Sequence, residues 1–101
     1  MDIQSRLNGR SLTVSLIGEL DHHAAASVRE KMDSAIKQND AANEVVVDMS
    51  RVSMMDSSGL GVIIGRYKLI APQKKRMSIV GANRSVDRVL RMSGIYTLLN
   101  G

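Results

Sequence analysis

Apolar and polar residues alternate strictly at Ser11, Leu12, Thr13, Val14, Ser15 and Leu16. A two-residue period is that of a strand with one buried face. Asn8-Gly9, immediately upstream, is a strong hairpin-turn dipeptide, so residues 3–7 are expected to pair with this strand. After Gly18 the spacing lengthens to that of a helix, with Ala25, Val28, Met32, Ala35 and Ile36 on one side and Asp21 placed as N-cap. A first helix over residues 21–37 follows, ended by Asn39-Asp40. Val45, Val46 and Val47 then run consecutively between Glu44 and Asp48. Three adjacent β-branched residues predict a strand buried on both faces, as in a parallel sheet, and a helix between two such strands is a crossover.

A second helical stripe, Leu60, Ile63, Ile64, Tyr67 and Ile70, is stopped by Pro72, and residues 77–80 supply the next strand. Val86, Val89 and Leu90 mark a third helix, with Asn83 as its cap and Gly94 beyond its end. Residues 95–99 are expected as a last short strand or a fragment of helix. The order β-β-α-β-α-β-α, with no repeat, linker or low-complexity segment, makes residues 1–101 one α/β domain, a small mixed β-sheet with helices packed on it.

The stretch MMDSSGLGVIIGRYK, residues 54–68, departs from an ordinary strand-to-helix handover. Asp56, Ser57 and Ser58 stand where the free N–H groups of a first helical turn need an acceptor, and one side chain is enough. At least one hydroxyl is left over. Gly61 and Gly65 lie four and eight residues beyond Ser57, so a nearly bare strip of backbone runs from the serine along one helix face. Each mid-helix glycine costs about 1 kcal/mol relative to alanine, so something is expected to approach that strip closely, either another element of the fold or a partner protein. Caps and tight internal packing are one reading. The other is a phosphorylatable serine, Ser57 or Ser58, beside a flat docking surface. Phosphate at a helix start meets free N–H groups and the positive end of the dipole, so the fold is expected to tolerate it. A partner surface built for a neutral hydroxyl would not, because the added charge is costly to desolvate and is repelled by Asp56 and Asp21.

Composition narrows the function classes. With 101 residues there is room for one core and one surface site, not for a bilobal enzyme with an enclosed cleft. There is no cysteine, which excludes disulfides and thiolate metal sites and suits a reducing compartment. No basic-then-apolar leader and no run of about 18 apolar residues occurs, so a cytoplasmic protein without membrane contact is expected. The formal charge is +4, yet Tyr67 and Tyr96 are the only aromatics of the Phe, Trp and Tyr types, which leaves no platform for stacking bases.

Other constellations are weaker. His22 and His23 are adjacent, which splays helical side chains by about 100°, and the acids nearby, Glu19 and Asp21, belong at a helix start, so no metal is expected. Met55 occupies the first glycine position of a nucleophile elbow around Ser57. The spacing of Gly59, Gly61 and Gly65 misses the dinucleotide fingerprint, and no phosphate-loop lysine motif is present. No cofactor and no catalytic residue follow. Arg84, Arg88 and Arg91 on the third helix and the run Lys74, Lys75, Arg76 leave open a phosphate-rich ligand such as nucleic acid, against the plainer reading of solvated charge.

GELDHHAA at residues 18–25, MDSSGLGVIIGRYK at 55–68 and RMSGIY at 91–96 closely resemble the anti-sigma factor antagonists of the STAS family, over nearly the whole chain. The resemblance implies a regulator, not an enzyme: unphosphorylated, it binds an anti-sigma factor that is also a serine kinase and so frees the sigma factor. Phosphorylation by that kinase releases it, and a serine phosphatase resets it. The likeness is greatest to the sporulation members, implying sigma-F; a STAS regulator of another circuit, such as the general stress response, is the alternative. The family's phosphorylated serine maps onto Ser57. The docking surface implied comprises Asp21, Asp56, Ser57, Ser58, Gly59, Gly61 and Gly65, with Asp21 pairing a basic group of the kinase. Two departures stand out. Sporulation members continue past the point matching Gly101, so a missing or shortened last helix is expected, and the loop over residues 71–76 is more basic than the family's.

Overall fold

A computed structural model describes residues 1–100; Gly101, the last residue of the expected domain, lies outside them. The elements are β1 (Asp2–Asn8), β2 (Ser11–Leu20), α1 (His22–Gln38), β3 (Glu44–Met55), α2 (Ser57–Ile70), a 3₁₀ turn (Ala71–Gln73), β4 (Arg76–Val80), α3 (Arg84–Ser93) and α4 (Ile95–Asn100). The four strands lie in sequence order, β1 antiparallel to β2 and β2, β3 and β4 parallel. Asn8 pairs with Ser11, so the two-residue hairpin loop is Gly9-Arg10, one position later than the Asn-Gly dipeptide suggests. Gly9 takes φ 62°, the left-handed conformation that such a loop needs at its first position. Residues 95–99 are helical, which resolves that alternative.

Every second residue of β2, Leu12, Val14 and Leu16, is buried, and Val45, Val47 and Met49 of β3 and Met77 of β4 join them in one core with Val28, Met32, Ile63, Val86 and Leu90 of the helices. The other face of the sheet is only partly covered. Val46 is half-buried there among Thr13, Ser15, Asp48 and Ser78, so the valine run does not mark a strand buried on both faces. Here the run reflects β propensity, and Val46 faces the polar side. β3 also continues seven residues past Asp48. Two irregularities in its register with β2, between Ser15/Ile17 and Gly18/Glu19, each give β3 an extra residue. The bulges shift the buried positions to Val52 and Met55, which breaks the period a strand is recognised by.

Candidate functional site

The carboxyl end of the parallel strands is where α1 and α2 begin, and an aspartate starts each. Asp21 is extended (φ −110°) and its Oδ1 accepts from the Ala24 amide at 3.0 Å. Asp56 is extended likewise (φ −108°), and its Oδ1 accepts from the amides of Ser58 at 2.9 Å and Gly59 at 3.2 Å. Asp56 also reaches across: its Oδ2 accepts from the His22 amide at 3.3 Å, and its own amide donates to the Leu20 carbonyl at 3.3 Å. One side chain thus clamps the first turns of two helices together. The tie to His22 had no signal in the sequence, since it depends on β2 and β3 ending side by side, with Leu20 paired to Met55.

With Asp56 as the cap, neither serine hydroxyl is used: Ser57 is exposed, Ser58 half-buried, and no hydrogen bond of either hydroxyl is found among the described residues. The same fact corrects an expectation. The Ser58 and Gly59 N–H groups already serve the Asp56 carboxylate, so a phosphate on Ser57 would not find them free.

The three glycines of α2 separate into two kinds. A Cβ on Gly59 would collide with the Leu20 carbonyl oxygen and side chain; Gly59 is buried and permits the close approach of α2 to β2, so it is not part of an open docking surface. A Cβ on Gly61 or Gly65 would meet nothing within 4 Å. Ser57, Gly61 and Gly65, with half-buried Leu60 and Ile64, therefore form an outward face that carries no charge before Lys68. Leu60 and Ile64 belong to the margin of the apolar stripe, packed against the core on one side and half-exposed on the other.

Beside Asp21 lies an open concavity of about 360 Å³ lined by Met1, Glu19, Asp21, His23 and Ala24. Its two carboxylates suit a basic group. The His22 and His23 rings, both exposed on the first turn of α1, lie against one another with centroids 3.9 Å apart. Of the six basic residues singled out above, three are paired: Lys75 with Asp40 at 3.2 Å, Arg76 with Glu44 at 3.8 Å and Arg91 with Asp87 at 2.6 Å. Arg84 and Arg88 remain exposed. No helix of the described residues is long and apolar enough to cross a membrane.

Away from the site, α4 is pinned to α3 by Asp87, which accepts from Arg91 Nε at 2.6 Å and the Tyr96 hydroxyl at 2.7 Å. The Arg91 bond, then the Tyr96 bond, holds the Asp87 carboxyl below its ordinary range. Burial, then the bond to Asp87, pushes Tyr96 up to about 12.

Comparison with known proteins adds the following. Residues 2–100 match the STAS domain family. The anti-sigma F factor antagonist of Paenibacillus polymyxa is 44% identical over 87% of this chain and 74% of its own length. The anti-sigma-B factor antagonist of Staphylococcus aureus is 25% identical over 99% of this chain and 91% of its own. The solved structure of the Bacillus cell fate determinant SpoIIAA in its phosphorylated form superposes with a TM-score of 0.73 and 31% identity, covering 95% of this chain and 86% of that one.

Proposed function

The chain belongs to the STAS domain family, and on that premise we propose that it is an anti-sigma factor antagonist whose unphosphorylated form docks on an anti-sigma factor through the outer face of α2, freeing the sigma factor. The observation that carries the docking face is the empty space over Gly61 and Gly65 beside the unused hydroxyl of Ser57. Two glycines in one helix each cost stability, and nothing among the described residues uses their bareness; a partner that lies flat on the helix does. Asp21 keeps one carboxylate oxygen beyond its cap, and with Glu19 it supplies the charge for a basic group of that partner.

Ser57 is the switch in this reading. A serine kinase partner transfers the γ-phosphoryl group of ATP to Ser57 Oγ: the O–P bond forms, the hydroxyl proton departs and ADP leaves. A serine phosphatase returns the hydroxyl by hydrolysis, releasing inorganic phosphate. With the Asp56 carboxylate already on the first-turn amides, the phosphate lies between that charge and the partner, so repulsion from Asp56 and the cost of desolvating a charge near −2 both oppose docking. The chain itself acts as substrate and binding partner, not as enzyme. Sigma-F is the regulated factor favoured by the 44% identity to the Paenibacillus antagonist against 25% to the sigma-B one.

The test is incubation with the purified anti-sigma F factor of Paenibacillus polymyxa and ATP, followed by intact mass and peptide mapping. One phosphate on Ser57, absent from Ser57→Ala, which still binds, supports the switch. Phosphate persisting in that variant moves the site to Ser58, and no phosphate at all removes the kinase step.

A further inference from the structure

Arg66 is the one buried charged residue among those described, 8% exposed, on the side of α2 that packs against α1. Its Nε lies 2.9 Å from Oδ1 of Asp33 on α1, whose side chain is 45% exposed, yet neither Nε nor Nη1 has a hydrogen-bond partner. A buried guanidinium held by charge alone is an expensive way to fill a helix interface, because an apolar side chain of similar volume fills the same space without desolvating an ion. An apolar replacement is therefore not expected to lower stability.

Nine residues separate Ser57 from Arg66, and at 3.6 residues per turn they project on opposite sides of α2, about 180° apart. The remaining buried residues of the two helices, Val28, Met32 and Ala35 on α1 and Gly59, Val62, Ile63 and Ile70 on α2, are small or apolar, and such contacts specify a unique geometry less sharply than a directional ion pair. Turning α2 about its axis would carry Arg66 away from Asp33 and leave an unpaired cation in the interior, which is strongly opposed. The Asp56 clamp fixes the two helices at one end. The ion pair fixes them ten residues further along α2.

We propose that Arg66, through Asp33, is a positioning residue for docking: it sets the azimuth of α2, and so the direction in which Ser57 and Gly61 face relative to Asp21. The proposal rests on the docking face described above, but it also has a consequence for the free protein. Loosening the pair shifts residues on the far side of the helix, not only its own neighbours.

The experiment compares wild type, Arg66→Met, Arg66→Lys and Asp33→Asn by thermal melt, by backbone amide NMR of the free protein, and by affinity for the Paenibacillus polymyxa anti-sigma F factor. Arg66→Met is expected to melt at or above the wild-type temperature while its affinity falls about tenfold, the cost of a docking face no longer preorganised. Arg66→Lys, which keeps a cation within reach of Asp33, retains most of the affinity. The amide signals of Ser57, Gly61 and Ala24 move in Arg66→Met. Asp33→Asn leaves the buried Arg66 cation unpaired and so is expected to melt below wild type, yet it gives the same amide shifts and the same fall in affinity if the methionine variant does not fold. Amide shifts confined to the neighbours of Arg66 and Asp33, or unchanged affinity in a folded variant, overturn the positioning role. Failure of the wild type to bind at all overturns the docking reading instead, and the amide shifts of the free protein still decide the role of Arg66.

Discussion

Gly59 and Gly61 stand two residues apart on one helix and meet opposite surroundings. A side chain at Gly59 would strike the Leu20 carbonyl, whereas at Gly61 it would project into open space. The difference teaches that α2 has two separate uses for bare backbone. Its inner side brings the helix down onto β2 and α1 and carries stability. Its outer side, with Ser57, Gly61 and Gly65, gives up helix propensity with no return inside the domain, and its return lies in docking. The two sides should therefore respond to substitution in different measurements.

The largest effect is expected at Ser57 on the outer side. Ser57→Asp should fold normally by circular dichroism and lose at least about 100-fold in affinity for the anti-sigma factor, close to 3 kcal/mol. A melt showing gross unfolding would give Ser57 an inner-side role and collapse the distinction. Next comes Gly59→Ala, which should lower stability by about 2 to 3 kcal/mol in urea, because the methyl meets backbone that cannot swing aside. Its affinity per folded molecule should be unchanged. Gly61→Leu sharpens the contrast: docking should weaken roughly tenfold, about 1.4 kcal/mol, while the melting temperature holds or rises as a glycine leaves an exposed helix. Unchanged docking would mean that the outer strip faces only water.

The smallest effect is far from both sides, at the α3–α4 junction. Asp87 has a lowered folded pKa, so its contribution is present above the ordinary aspartate value near 4 and is lost as pH falls through the folded value. Tyr96 is raised, so its contribution is complete below the ordinary tyrosine value near 10 and fades as pH rises toward about 12. Urea melts of Asp87→Asn should accordingly lose the wild type's extra acid sensitivity below pH 4, and tyrosinate absorbance in a Tyr67→Phe background should report ionisation around pH 12.

The fold was largely legible because local signals agree with it. The β2 alternation, the helix caps at Asp21, Asn83 and one of residues 56–58, and the stops at Pro72 and Gly94 are each chemistry of a few neighbouring residues. What could not be read is non-local. The extension of β3 to Met55 depends on bulges against β2, and the exposure of Val46 depends on helices covering only one side of the sheet. The same divide holds at the site. The Ser57-Ser58 pair, Asp21 as a cap and the bare strip were visible as spacing, whereas the choice of Ser57 and a docking role for Asp21 came only from the family resemblance; that Gly59 belongs to the inner side, that Asp56 bridges to His22, and that Arg66 is buried against Asp33 required elements distant in sequence to be set side by side.

The central claim is that one phosphate on the outer face of α2 ends docking without disturbing the fold. It is tested most directly by calorimetric titration of the anti-sigma factor with the protein before and after stoichiometric phosphorylation of Ser57. The account predicts a loss of affinity of at least about 100-fold with an unchanged far-ultraviolet spectrum. Equal affinity of the two forms would contradict it.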